Sequence, residues 1–460
     1  MAKKKSSAPA FECAECGWQT VKWVGRCPEC QSWGSVQEKD AGLTARTAAA
    51  ASVASPATTI GEVDSSVAEF RPTGVGELDR VLGGGLVPGA VILMAGEPGV
   101  GKSTLLLQAA AAVAERHGSS QPVLYLTGEE SAAQVKKRAE RISGLSDHLY
   151  LAAESDLGQA LGQIERTDPQ LTIMDSVQTL SSAEVEGSPG GVTQIREVTA
   201  AMIEAAKRRN MTTILVGHVT KDGSIAGPRV LEHLVDVVCQ FEGDRHSRLR
   251  LLRAVKNRYG PTDDVGCFDL GENGLESLAD PSGLFVSAMA ERVPGTCITI
   301  SLEGRRPLTA EVQALVAESQ AAQPRRAVSG LDSPRVSMLL AVLQRRAKLA
   351  ALMKSETYVA TVGGAKISEP AADLAVALAV ASAALEKSLP NRFLAFGEVG
   401  LAGEVRPVTG LQRRLQEAAR LGFTHALVPR GGAEDPPEGL KVREVGSLAE
   451  AMSLLFEASS

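Results

Sequence analysis

The chain has 460 residues, 44% of them hydrophobic and 22% charged, which excludes a disordered or fibrous polymer and leaves room for about three domains of ~150 residues. A formal net charge of -6 excludes a general attraction to polyanions, so nucleic-acid contact must come from local basic loops or the inner surface of an oligomer. The aromatic share is only 3%, which leaves the core to Ala, Val and Leu. At the N-terminus, Lys3 to Lys5 have no apolar stretch behind them, and the longest apolar run, 371–385, is too short for a bilayer and contains Asp373. A cytoplasmic protein without membrane contact is expected.

Cys13 and Cys16 form one CxxC pair and Cys27 and Cys30 another, with a short ribbon's length between them. Two such pairs suit tetrahedral sulfur ligation of one structural Zn²⁺, whereas a redox site needs one pair and disulfides are disfavoured in a reducing compartment. Cys239, Cys267 and Cys297 sit among apolar neighbours as ordinary buried thiols would. All three tryptophans, Trp18, Trp23 and Trp33, lie in or beside the module, where large rings are expected to shield the metal, with base stacking on single-stranded DNA as the alternative. The segment from Lys39 is rich in Ala, Ser and Thr and has no period, so domain limits of 1–38 (metal module), 39–60 (tether), 61–280 (motor) and 281–460 (a third domain) are expected.

Gly96, Glu97, Pro98, Gly99, Val100, Gly101, Lys102, Ser103 and Thr104 fit the pattern GxxxxGK[ST], after an apolar run at 90–95 and before a helical run from Leu105. Glycines let backbone N–H groups converge on a triphosphate, Lys102 reaches the terminal phosphates and the Ser103 hydroxyl ligates Mg²⁺. ATP and Mg²⁺ are the expected ligands. Apolar runs at 123–126 and 171–174 follow, which suggests a parallel sheet flanked by helices. The second run ends in Asp175, placed to hold the metal from the strand's carboxyl end. Glu129, with Glu130 as the fallback, follows the first run and is a candidate to activate water.

This order of elements resembles the RecA-like ATPases: the run LTIMDSVQTL, a Gly-bearing loop at 181–194, a helix to about Arg209, then TTILVGHVTK. The resemblance implies two DNA-facing loops, 181–194 and 219–230, the latter carrying Lys221 and Arg229 as DNA contacts, and a γ-phosphate-sensing position at His218. The five residues Lys256-Asn257-Arg258-Tyr259-Gly260, taken with the cysteine quartet and GVGELDRVLGGGLVPG, resemble the bacterial RadA (Sms) family of DNA-repair proteins, which has Phe at the Tyr259 position. Lys256 and Arg258, two apart on a strand, would share a face and reach a phosphate bound by a neighbouring subunit. Direct DNA contact and an exposed basic hairpin stay open.

From about Pro281 the runs EGRRPLTAEVQALV, GGAKISEPAADLAVALAVASAAL and FGEVGLAGEVRPVTGLQRRLQEAARLGFTHALVP resemble the protease domain of Lon. Ala371 stands where that family has its nucleophilic serine, and Gln412 where it has the partner lysine. Neither side chain can carry acyl transfer, so no peptidase activity is expected. Ser368 and Lys387 read as a cap and a solvated end, and Arg413 and Arg414 as outer basic residues that either contact DNA or face solvent.

The expected architecture is α/β: a zinc ribbon, a central RecA-like parallel sheet with a phosphate loop, and a C-terminal α+β Lon-protease-like domain. The resemblance implies a ring, expected to be a hexamer, that hydrolyses ATP while moving on single-stranded DNA to branch-migrate or extend recombination intermediates, with the RecA recombinase as a candidate partner. A nucleotide-gated DNA clamp or recombinase-recruiting scaffold would need the same phosphate chemistry. An ATP-driven protease is the third reading, disfavoured by the missing dyad.

Overall fold

The computed structural model describes residues 11–38, 58–62, 68–118, 121–218, 231–243, 248–280, 293–321, 323–362, 366–433 and 435–457. Most of the expected tether, the loop at 219–230 with Lys221 and Arg229, and the change of style at 281–292 fall outside them. The chain divides into two compact units, Met1–Asp64 and Ser65–Ser460.

In the first unit, β1 (Phe11–Cys13) pairs antiparallel with β2 (Gln19–Thr20) and β3 (Val36–Glu38). Its small core holds Cys13, Cys27 and Val36, with Phe11, Trp18 and Val24 packed on them. The expectation that all three tryptophans shield the metal needs correction, because Trp23 and Trp33 are 63% and 77% exposed. A ribbon this short has room beside its buried sulfurs for one ring; Trp23 instead donates Nε1–H to the Val36 carbonyl, and Arg26 stacks on Trp33 at 5.7 Å.

The second unit opens with α1 (Gly76–Leu82), β4 (Val91–Gly96), α2 (Lys102–His117), β5 (Val123–Thr127), α3 (Ala132–Arg141), β6 (Leu149–Ala153), α4 (Leu157–Thr167), β7 (Leu171–Asp175), α5 (Val192–Arg209), β8 (Thr212–His218), β9 (Val237–Glu242), β10 (Leu249–Asn257), β11 (Val265–Gly271) and β12 (Gly274–Ser277). Strands β4, β5 and β7 are buried at every residue, as strands covered on both faces must be. One apolar cluster gathers Leu105, Leu106 and Ala110 of α2 with Ile92 and Met94, and another gathers Ile195, Val198 and Met202 of α5 with Leu93 and Leu126. The sheet order is β12-β11-β10-β9-β4-β8-β7-β5-β6. From β9 to β6 the pairs are parallel as expected, but β9 through β12 form an antiparallel extension. Only Glu272 and Asn273 separate β11 from β12, far too few residues for a crossover helix.

A second, seven-stranded sheet follows: β13 (Thr296–Glu303), β14 (Arg306–Glu318), β15 (Arg326–Ser329), α6 (Ser333–Arg345), β16 (Ser355–Thr361), α7 (Asp373–Leu385), β17 (Phe393–Ala395), the small pair β18 (Glu398–Val399) and β19 (Val405–Arg406), α8 (Leu411–Arg420), β20 (His425–Pro429) and β21 (Lys441–Val445). Helix α7 is apolar around its circumference and buried from Asp373 to Ser382, so it is the core of this layer. Among the described residues no helix is long and apolar enough to cross a membrane.

A buried ion pair joins the two sheets. Arg306, at the start of β14, donates to the Glu77 carboxylate of α1 and to the carbonyls of Val265, Leu278 and Ala279, while the same carboxylate accepts the Cys267 N–H at 2.9 Å. Cys239, Cys267 and Cys297 are buried, and burial pushes the first two thiols up to about 12 and about 11.

Candidate nucleotide site and metal centre

The turn between β4 and α2 is shaped by its glycines. Gly101 adopts φ +111°, and a Cβ on Gly96 would stand 2.4 Å from the Phe241 carbonyl. Helix α2 starts at Lys102, three residues earlier than expected, and has no side-chain cap, which leaves its first N–H groups to the loop's concavity. Lys102 is 3% exposed and donates Nζ–H to the carbonyls of Gly96 at 2.8 Å and Glu97 at 2.9 Å. Burial pushes its amine down to about 8, against the opposing pull of Asp175 and Glu129. Ser103 follows in the first turn, half-buried.

Asp175 ends β7 beside Thr127 of β5 and is 6% exposed. Its Oδ2 accepts the Tyr125 hydroxyl at 2.6 Å, and the phenol is raised well above its ordinary pKa, first by burial and then by that carboxylate. The two candidate glutamates part company. Glu129 Oε1 accepts the Ser176 hydroxyl at 2.6 Å and lies 2.9 Å from His218 Nε2. Glu130 is instead ion-paired to Arg138 of α3. Parallel strands thus bring Glu129, Asp175, Ser176 and His218 to the carboxyl end of the sheet, next to Lys102, where ligands of open α/β sheets bind. The set can hold a triphosphate and a divalent cation: buried lysine, hydroxyl and carboxylate are of the right chemistry, and Glu129 keeps an oxygen for a water proton. Sequence reasoning missed Tyr125 and Ser176; the polar tip in the run VLYLT and the serine after Asp175 were the available signals.

Lys256 and Arg258 both turn toward one segment, but not as neighbours on a regular strand. The register shifts between Ala254 and Lys256, and β10 ends at Asn257. Lys256 donates to the carbonyls of Glu232 (2.8 Å) and Val235 (2.7 Å), and Arg258 Nη1 to Asp236 Oδ1 at 2.9 Å. Asn257 Oδ1 accepts the N–H groups of Tyr259 and Gly260, which tightens the turn.

In the C-terminal layer Ala371 is buried, and Gln412 Nε2 donates to the Asp435 carbonyl at 2.6 Å. Ser368 is exposed, and Lys387 Nζ donates to the Phe456 carbonyl at 2.8 Å. Arg414 is not an outer residue: it is fully buried and grips Glu369 through two nitrogens at 2.7 and 2.8 Å. Its position on the inward face of α8, beside Leu411, Leu415 and Ala418, explains the correction.

The Sγ atoms of Cys13, Cys16, Cys27 and Cys30 lie within 4.8 Å of one another, with Cys13–Cys30 and Cys16–Cys27 at 3.6 Å. Tetrahedral Zn²⁺ with 2.3 Å bonds needs sulfurs about 3.8 Å apart, so the quartet fits that ion.

Residues 11–38 match the rubredoxin metal binding domain, 58–224 the AAA domain and 357–432 the subunit ChlI of Mg-chelatase. The chain is 53% identical over 459 residues to the DNA repair protein RadA of Mycolicibacterium smegmatis, covering 97% of both chains. It is 51% identical over 455 residues to that of Mycobacterium tuberculosis (strain H37Rv), covering 97% of this chain and 93% of that one. With the Streptococcus pyogenes serotype M1 protein of the same name it shares 42% identity over 462 residues, 99% of this chain and 100% of that one.

Proposed function

The chain belongs to the RadA family of DNA repair proteins, and from that premise we propose that it is a DNA-dependent ATPase that forms a ring on single-stranded DNA and drives branch migration or extension of recombination intermediates. The observation that carries the proposal is the convergence of Lys102, Asp175 and Glu129 on one phosphate loop, with Glu129 steadied by Ser176 and His218.

In this reading the loop N–H groups and Lys102 bind the terminal phosphates. Ser103 and Asp175 hold Mg²⁺, which supplies charge neutralisation on the phosphoryl oxygens when bound. Glu129, rather than the paired Glu130, orients and deprotonates the attacking water. Lys256 and Arg258 complete the site of an adjacent subunit in a hexamer, and Lys221 and Arg229 contact DNA phosphates. The C-terminal layer contributes ring contacts and no peptidase chemistry, because Ala371 offers no nucleophile. The RecA recombinase is the candidate partner.

The test is ATP hydrolysis with and without single-stranded DNA, alongside migration of a labelled three-stranded junction and electron microscopy with an ATP analogue. Stimulated hydrolysis, junction movement and rings are expected. Hydrolysis with no junction movement would turn the reading to a nucleotide-gated clamp, and a protein that stays monomeric while hydrolysing normally would end the in-trans role of Arg258.

A further inference from the structure

The antiparallel extension touches the nucleotide site at three places. The Phe241 ring of β9 and the Leu275 side chain of β12 lie 3.6 and 3.2 Å from the point where a Cβ on Gly101 would stand. Leu275 also exchanges two backbone hydrogen bonds with the Gln108 amide of α2, at 3.0 and 3.2 Å. The third contact is a charge. Arg250 of β10 is 6% exposed and donates Nε–H to the Val100 carbonyl of the phosphate loop at 3.0 Å.

We propose that Arg250 is a positioning residue for ATP: by fixing the Val100 carbonyl it sets the direction of the Gly101 N–H in the phosphate cradle. Val100 C=O and Gly101 N–H belong to one planar trans peptide, so they point in opposite directions and orienting one orients the other. Gly101, at φ +111°, has more torsional freedom than any residue with a side chain, and its amide direction needs an outside constraint. A leucine on β10 would pack beside the loop without fixing that plane. A guanidinium gives a directional, charge-assisted bond, roughly twice as strong as a neutral one.

The neighbouring backbone is cleared for this side chain. A Cβ on Gly243 would stand 2.2 Å from Arg250 Cδ and 2.7 Å from Nε. Gly243→Ala therefore displaces the guanidinium by steric contact while leaving the charge in place, and Arg250→Ala removes it.

The inference rests on the nucleotide-site reading above, and the experiment separates the two. A fluorescent ATP analogue is titrated into wild type, Arg250→Ala, Arg250→Lys, Gly243→Ala and the Gly243→Ala/Arg250→Ala double variant, with steady-state ATP hydrolysis and melting temperature measured in parallel. Arg250→Ala and Gly243→Ala are expected to weaken analogue binding and raise KM by about tenfold each, with kcat altered less than about threefold. The lysine variant recovers part of the loss. The double variant binds no more weakly than Arg250→Ala alone, because both substitutions break one contact. A residue that only supports folding would lower the melting temperature and leave analogue affinity untouched. Unchanged affinity in Gly243→Ala and Arg250→Ala, or additive losses, overturns the proposal while the nucleotide site stands. Absence of analogue binding by wild type overturns both. Should Arg250→Ala fail to fold, Gly243→Ala decides alone.

Discussion

The nucleotide site and the protease-like site at 369–414 are made of similar parts, a turn leading into a helix with carboxylates and cations around it, yet they use their charges in opposite ways. At the first, Glu129 is steadied by Ser176 and His218 and keeps 39% of its side chain in solvent, and Lys102 holds only loop carbonyls. At the second, Glu369 and the fully buried Arg414 consume each other in a two-point pair, and Glu369 also accepts the Leu302 N–H. A site that does chemistry keeps capacity for an outside atom. The second site spends its charges on each other and on its own backbone.

The sharpest break in that comparison is Lys102→Ala, expected to lower ATP turnover by about 10³-fold, as removal of a preorganised charge at a phosphoryl site does; turnover at the wild-type rate would remove the nucleotide site from the contrast. Next is Arg414→Ala. Removing the fully buried guanidinium, and with it both bonds to a Glu369 carboxylate that is 23% exposed, is expected to cost about 2–3 kcal/mol in denaturant unfolding, whereas ATP turnover per folded molecule stays within twofold, about the scatter of such assays. Glu129→Gln should slow hydrolysis by about a hundredfold with nucleotide binding retained, while Glu130→Gln stays within a few-fold. Stopped hydrolysis in the second and not the first would exchange their roles.

The smallest effect is one of pH. Since the Lys102 amine sits near 8, nucleotide affinity should weaken as pH rises from 7 to 9 and the charge is lost. Its folded pKa lies below the ordinary 10.5, so the charged form opposes folding fully below about 8 and that opposition fades between 8 and 10.5. Lys102→Met should accordingly raise the melting temperature at pH 7 and lose that advantage near pH 10.5, which a melting series across pH checks directly.

What the sequence revealed depended on how local the physics was. The cysteine quartet, the phosphate loop and the strand ending in Asp175 are all carried by adjacent residues whose chemistry fixes their spacing. The pairings of Arg306 with Glu77 and of Arg250 with Val100 join elements 229 and 150 positions apart, and nothing local announces them. Arg414 misled for another reason: arginine is so rarely fully buried that an arginine on a helix reads as solvated, although its phase with Leu411, Leu415 and Ala418 already placed it inward. Alternation along β10 carried the same hint for Arg250, which falls in step with the buried Leu252 and Ala254.

Asp236 ties two of these regions together. One carboxylate oxygen accepts the N–H of Val91, the first residue of β4, at 3.0 Å, and the other holds Arg258. Any assembly in which Arg258 serves an adjoining molecule must first unlatch it from this anchor. Arg258 is half-exposed but the Asp236 carboxylate is 6% exposed, so releasing the arginine leaves a buried acid short of one charge-assisted hydrogen bond, a cost of about 1–3 kcal/mol that the association must offset, while Asp236 keeps its hold on the strand that leads to the phosphates. The same acid can thus act as a parking place for the free protomer and a fixed strut in the associated one.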